Sequence, residues 1–249
     1  MKRFFIATIF LVGALATGIP AQAVTPLEIM EKVDQQAYIG KARFEATLVM
    51  SSRGRDVVKE MVAVTEGSSR AFVEFTNARD RGTKYLKIDK ELWMYFPDAE
   101  DIVKISGHML RQGMMGSDVS YEEALESNRL VDSYDISLAG EEPVNGEQCY
   151  VLELKAKPGK NPAYATRKMW VSKEKYVSMK EQLFAQSGKM VKVATTEEVR
   201  QFGGRYLATK VVMDNLLKKD SKTVFIIKKI DFNPAITPET FSLKQLGKH

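Results

Sequence analysis

The chain has 249 residues, of which 44% are hydrophobic and 28% charged, and a formal net charge of +5. That hydrophobic share supports a packed core and excludes a disordered, low-complexity chain. The charge is mild and spread along the sequence, without the concentrated basic stripe of a nucleic-acid binder, so no nucleic-acid partner is expected.

The first residues have the three parts of a secretory signal peptide. Met1-Lys2-Arg3 is a short basic start, Phe4 to Ala16 is apolar, and Ala21-Gln22-Ala23 is an A-x-A cleavage site. The apolar run is shorter than the ~20 residues that span a bilayer, and Gly18-Ile19-Pro20 breaks it. Residues 1–23 are expected to be removed, leaving residues 24–249 as one exported domain with a charge of +3 once Lys2 and Arg3 are gone. No cysteine follows the cleavage site directly, so the exported chain is not expected to be lipid-anchored itself. Cys149, the single cysteine, lies in a strand-like run and reads as a buried small hydrophobe. Without a disulfide, the core alone must hold the fold.

A helix comes first. Thr25 is a suitable N-cap, Pro26 suits the first helical position, and Glu28 completes a capping box. Leu27, Met30 and Val33 then share one apolar face, and the helix should end near Tyr38-Ile39-Gly40. Beyond Gly40 the period becomes two: Phe44, Ala46, Leu48 and Met50 alternate with polar residues. Turn signals recur at Arg53-Gly54, Gly67-Ser68, Asp89-Lys90, Asn145-Gly146, Ser187-Gly188 and Gly203-Gly204. They separate candidate strands at 42–51, 56–66, 69–76, 83–88, 91–96, 133–140, 148–156, 167–172, 177–186, 189–202, 205–214 and 222–232. An antiparallel meander of about 10–12 strands exceeds what a flat sheet holds comfortably, so the sheet should curl toward a barrel. Between Pro97 and Leu130 alternation stops. Asp98-Ala99-Glu100-Asp101 reads as a turn or short helix, a Gly- and Met-rich loop follows, and Ser120 with Glu123 caps a second helix. An insertion this long is suited to covering one end or face of the barrel.

Motifs for chemistry are absent. There is no G-x-S-x-G elbow, P-loop or dinucleotide fingerprint. The only histidines are His108 and His249, and with Cys149 they fall short of a zinc ligand set. No catalytic residue, metal or cofactor is therefore expected. The acidic turn Asp98, Glu100 and Asp101, together with His108, is what a hydrolase would have to use.

Apolar surface is the stronger signal. Leu92-Trp93-Met94-Tyr95-Phe96 is apolar on both faces of its strand, so one face needs a partner beyond the core: helices or a ligand cavity. Met109, Met114 and Met115 add adaptable side chains. Plugging of the barrel and lining of a cavity are equally compatible with this pattern. The candidate lining residues, from alternation and loop composition, are Phe44, Leu48, Met50, Phe75, Trp93, Tyr95, Met114, Met115, Tyr150 and Leu152.

The run Leu92 to Pro97, then Ile105, then Gly116-Ser117-Asp118-Val119-Ser120-Tyr121-Glu122-Glu123 resembles the outer-membrane lipoprotein-sorting family, the LolA/LolB-like superfamily. Tyr150 to Leu154, Met169-Trp170-Val171 and Phe241-Ser242-Leu243 fall where that family has similar runs. The resemblance implies a mainly β fold: an unclosed, strongly curved antiparallel β-barrel with an N-terminal helix and a loop-helix insertion over an apolar cavity. It implies a periplasmic carrier, not an enzyme, whose cargo is lipid or a lipid-modified protein. The partners it implies are an inner-membrane exporter, an outer-membrane acceptor and a transient membrane-surface contact. A lipid-sensing regulatory module on the same scaffold is the alternative, and an envelope hydrolase a more distant one.

Overall fold

A computed structural model describes residues 24–126 and 129–248. The expected signal peptide lies outside the described residues. Helix α1 (Pro26–Ala37) begins as its sequence dictates: the Thr25 hydroxyl accepts from the Glu28 amide at 3.2 Å, and the Glu28 carboxylate accepts from the Thr25 amide at 2.8 Å. Its buried face is Ile29, Met30, Val33 and Asp34. Leu27, expected on that face, is 53% exposed, because the packed stripe is centred on Ile29 and Val33 one residue further round.

Thirteen strands follow. The first six are β1 (Lys41–Ser52), β2 (Arg55–Glu66), β3 (Arg70–Phe75), β4 (Lys84–Ile88), β5 (Glu91–Phe96) and β6 (Asp101–Ile105). The second series is β7 (Tyr134–Val144), β8 (Glu147–Ala156), β9 (Thr166–Ser172), β10 (Ser178–Phe184), β11 (Met190–Phe202), β12 (Arg205–Asn215) and β13 (Ser221–Asp231). They form one sheet in the order β6-β5-β4-β3-β2-β1-β13-β12-β11-β10-β9-β8-β7, antiparallel throughout. The hairpins at Arg53-Gly54 and Asn145-Gly146 place both central residues at positive φ, the geometry that matches strand twist.

The twelve expected strands are all present, and β6 is a thirteenth. It was hidden in the expected insertion because Glu100 supplies the positive φ (51°) of its hairpin without a Gly or Asn to announce it. Asp98 to Glu100 therefore form a turn between two strands and start no helix.

The sheet is unclosed. Its edges are β6 and β7, consecutive in the chain, while β1 and β13 join its two halves. Among the described residues, the insertion between β6 and β7 holds three short 3-10 turns, Gly107–Arg111, Met114–Gly116 and Leu130–Asp132, and helix α2 (Tyr121–Leu125). Ser120 and Glu123 form the expected capping box on α2. On the opposite face, the C-terminal turn Pro238–Phe241 and helix α3 (Leu243–Leu246) cover β3 to β5: Phe241 and Leu246 pack with Phe72, Leu86 and Tyr95.

One buried carboxylate ties the insertion to the far half of the sheet. Asp118 is 5% exposed and accepts from Asn215 Nδ2 at 2.9 Å, Ser221 Oγ at 2.8 Å and Thr223 Oγ1 at 3.0 Å. Its amide in turn donates to Thr223 Oγ1 at 2.9 Å. Hydrogen bonds to a charged acceptor are worth roughly 1.5–3 kcal/mol, and donors left buried without a partner cost more. Asp118→Ala is thus expected to lower stability by about 2–4 kcal/mol in urea unfolding. Hydrogen exchange should show amides 106–125 losing protection before the strands do; uniform loss across the sheet would contradict the clasp.

Candidate functional site

Strand register settles which side chains share the concave face. Leu48 pairs with Phe225, Phe225 with Val211 and Val211 with Thr196. Further along, Met213 pairs with Ala194, Ala194 with Glu181, Glu181 with Met169 and Met169 with Leu152. Directly paired residues point to the same side of a sheet, so all of these face inward.

Two packed zones take up much of that interior, beside a smaller group of Tyr164, Leu183, Val191 and Met213. Under the insertion, Ala46, Leu48, Met61, Phe75, Tyr85 and Met94 pack with Tyr121, and with Met109, Leu110, Met114 and Met115. Gly113 is obligatory in this turn, because a Cβ there would sit 2.0 Å from the Ser117 carbonyl oxygen. Under α1, Leu152, Leu154, Met169 and Val171 pack with Ile29, Met30 and Val33.

Between the two zones lies a half-open cavity of about 460 Å³. Its walls are α1, the end of the insertion and strands β9 to β13. Small side chains make the space: Ala37, Ser178, Ala194, Thr196 and Ala208 border it, with Met169, Leu207, Val211, Phe225 and Ile227 as apolar wall.

The cavity also has a charged corner. Arg167 is 9% exposed, reaches Glu126 at 2.6 Å and Glu181 at 3.5 Å, and donates from Nε to the Tyr134 hydroxyl at 3.0 Å. Burial would lower its pKa, but Glu181, Tyr134 and Glu126 outweigh that and hold it above the usual guanidinium value. Beside it Lys192 reaches Glu123 at 2.6 Å. Burial pushes the Glu123 carboxyl up, yet Lys192 and the Ser120 amide prevail and its pKa is lowered. Asp34 of α1 accepts from the Leu130 and Val131 amides at 3.2 and 3.3 Å, which ties the helix to the far end of the insertion. Desolvation raises its pKa in spite of these bonds.

The expected lining residues divide among these zones. Phe44, Leu48, Phe75, Met114 and Met115 lie in the zone under the insertion, and Leu152 with Tyr150 in the zone under α1. Met50 shares the inner face with Leu48 and pairs with Thr223 beside the Asp118 clasp. Trp93 and Tyr95 need correction. Their neighbours Leu92 and Met94 face inward, so these two point to the outer face and pack under the C-terminal segment. None of the ten borders the cavity, where Arg167, Glu126 and Glu181 are found instead. Sequence reading passed over Arg167 because Arg167, Met169 and Val171 form one face of β9 while Trp170 marks the other. With apolar residues on both faces, alternation alone does not choose.

The residues a hydrolase would need are not assembled. Asp98, Glu100 and Asp101 sit exposed at the β5–β6 hairpin, and His108 is exposed in the 3-10 turn after β6. Among the described residues no three His, Cys, Asp or Glu side chains cluster to hold a metal. Cys149 is fully buried on the outer face with Val151, Trp170 and Met179, and burial raises its pKa. No helix among the described residues is long and apolar enough to cross a membrane.

A family model described as that of an uncharacterized protein matches residues 67–248. A search of curated proteins finds no match. Among solved structures, a DUF1329 family protein from Desulfovibrio piger superposes with a TM-score of 0.82 at 23% identity, over 90% of this chain and 100% of that one. A domain from Vibrio parahaemolyticus assigned to outer membrane lipoprotein sorting gives 0.79 at 20% identity, over 90% and 98%. A LolA superfamily protein from Nitrosomonas europaea gives 0.74 at 19% identity, over 90% and 100%. At these identities the likeness establishes the fold.

The Glu123–Lys192 pair predicts an acid dependence. The Glu123 carboxyl has a folded pKa below its ordinary 4.5, so its contribution to stability is complete above that value and is lost as pH falls through the folded pKa. Glu123→Gln should therefore be less stable than the parent at pH 7, and the gap in urea midpoint should narrow by pH 3. A gap independent of pH would show that the ion pair contributes nothing.

Proposed function

We propose, because this chain belongs to the family whose model matches residues 67–248 and has the LolA-superfamily fold, that it is a periplasmic carrier of lipid acyl chains. The observation that carries this reading is the half-open cavity on the concave face. Its volume of about 460 Å³ falls within the ~300–1,000 Å³ of sites that enclose small ligands. The wall formed by Met169, Leu207, Val211, Phe225 and Ile227 suits a hydrocarbon chain.

Polar groups at one corner suit the other end of an amphiphile. Arg167, Glu126 and Glu181 border the same space as the apolar wall, so a lipid could lay its chain along β11 to β13 and keep its polar end near β9. Each methylene buried is worth ~0.8 kcal/mol, and a half-open cavity leaves part of a long chain uncovered, which favours release. The cargo class is lipid or the acyl chains of a lipid-modified protein, taken from an inner-membrane exporter and given to an outer-membrane acceptor. No chemical step is proposed: the charged groups of the cavity are engaged with one another, and the acidic turn and His108 stand apart from it.

The test is occupancy of the cavity. The protein should enhance the fluorescence of a long-chain fatty-acid probe, and native mass spectrometry of detergent-free material should show acyl-chain adducts. Ala194→Trp places an indole inside the space between Glu181 and Met213 and should weaken probe binding at least about tenfold, the loss of two or more buried methylenes. Trp93→Ala, on the outer face, should leave binding unchanged. Equal binding by folded Ala194→Trp and the parent would refute the cavity as the binding site.

A further inference from the structure

The two rims of the curved sheet differ in how their charges are used. At the rim that carries the end of α1, most bases are paired. Lys41 meets Glu66 at 3.1 Å, Arg43 meets Glu45 at 3.1 Å, Arg70 meets Glu66 at 3.0 Å and Arg200 meets Glu198 at 2.7 Å. Lys175 also pairs with Glu147.

On the opposite rim, which also carries the β3–β4, β5–β6 and β8–β9 connections, three hairpin tips are neighbours: β1–β2, β12–β13 and β10–β11. Ser52 pairs with Ser221, and Asn215 pairs with Lys192, so the tips stand side by side. Their exposed bases are Arg53, Arg55, Lys189, Lys218, Lys219 and Lys222, against the acids Asp56, Asp214 and Asp220. Among the described residues, Arg53, Arg55, Lys189, Lys219 and Lys222 have no carboxylate within 4.0 Å, and Lys218 approaches only the buried Asp118, at 3.5 Å.

The same tips expose large apolar side chains. Leu216 is 48% exposed and Leu217 59%, at the turn before Lys218 and Lys219. Val57 and Val58, at 41% and 51%, project where β2 runs past the end of β3, which pairs with it only from Met61 onward. Four of the eight large hydrophobic side chains most exposed on the described residues thus gather at one rim with its uncompensated bases.

We infer that these three hairpin tips dock the protein onto an anionic lipid surface, with Leu216 and Leu217 entering the interfacial layer and the surrounding bases meeting lipid headgroup phosphates. The excess of bases, six against three acids on these tips, favours this occupant, since an anionic surface rewards net positive charge. An apolar pair flanked by lysines matches the two-part character of a bilayer interface. The placement also fits the fold. Asn215, Ser221 and Thr223, which clasp Asp118 of the insertion, belong to the same β12–β13 hairpin. A membrane at this rim would therefore lie next to the segment that covers the concave face. The docking surface is separate from the cavity, so it stands or falls independently of what the cavity holds.

Vesicle co-sedimentation tests it, with the whole exported chain and vesicles of phosphatidylethanolamine containing about 30 mol% phosphatidylglycerol, the lipid class whose surface attracts basic residues. The parent should bind these vesicles, lose binding as salt is raised, and ignore pure phosphatidylcholine. Each basic residue near an anionic surface is worth roughly a fivefold gain in partitioning. Lys219→Glu/Lys222→Glu should therefore weaken binding at least about tenfold, and Leu216→Ser/Leu217→Ser should weaken it independently of salt. Lys41→Glu/Arg43→Glu, at the opposite rim, should bind as the parent does. Circular dichroism and fatty-acid probe binding of each variant separate this proposal from the cavity: intact probe binding with lost vesicle binding supports it. Failure of the parent to bind anionic vesicles overturns it, as does parent-like vesicle binding by both hairpin-tip variants or loss confined to the Lys41/Arg43 variant.

Discussion

Strands β6 and β7 end the sheet and are joined directly by the insertion, yet they do not hydrogen-bond to each other. A sheet that curls this far without closing leaves two edges and an apolar concave face open to water. Everything else in the structure answers that constraint. Edge β7 is protected by its own sequence: the Gly140 bulge, Glu141, Glu142 and Pro143 discourage another strand from adding. The concave face is covered from two directions, by α1 on one half and by the insertion on the other.

The cover is pinned by polar contacts set around its apolar packing. Asp118 is clasped by β12 and β13, Glu123 meets Lys192 of β11, Glu126 meets Arg167 of β9, and Asp34 of α1 holds the amides of Leu130 and Val131. Buried ion pairs add little net stability against a well-packed apolar alternative, since desolvation offsets most of the Coulomb gain. Their value here is geometric. A methionine-rich plug alone could settle on the sheet in several ways, because Met adapts to irregular gaps. Fixed carboxylates with matched donors select one seating, and they select it in a way that depends on charge and water access.

Much of this could be read along the chain wherever the cause was local. The capping boxes at Thr25/Glu28 and Ser120/Glu123 form as their spacing requires, and the Arg53-Gly54 and Asn145-Gly146 turns have the backbone that hairpins demand. Two kinds of feature resisted. One is the parity of strands with apolar residues on both faces, as for Trp93 against Met94 in β5 and Met169 against Trp170 in β9. There the outer face is covered too, by the C-terminal segment or by lysine stems, so hydrophobicity no longer marks the inside. The other is pairing between distant parts of the chain. The β1–β13 ladder that joins the two halves has no local signature, and neither does the meeting of Glu126 with Arg167, 41 residues apart. A buried arginine looks like a solvated one until the carboxylates opposite it are known.

The cavity lies between the two covers, which wall it without filling it. Under α1 and under the insertion, Leu, Met, Phe and Tyr fill the interior; between them the facing positions are Ala194, Thr196, Ala208 and Ser178, too short to meet across the gap. Natural cores are packed nearly without voids, so small residues at neighbouring inward positions of β10 and β11, with Ala208 of β12 at the border, leave a space that the chain's own side chains do not reclaim. Enlarging it needs only displacement of the plug, since Leu48, Phe75, Tyr85 and Met94 continue the same inner face beneath the methionines. Such a displacement would exchange one set of apolar contacts for another if hydrocarbon enters as the plug leaves, so its cost falls mainly on the polar clasps. Those clasps lie at the β9, β11 and β12–β13 positions already bordering the cavity or its rim. The groups that hold the cover shut thus stand beside the space that displacement of the plug would enlarge.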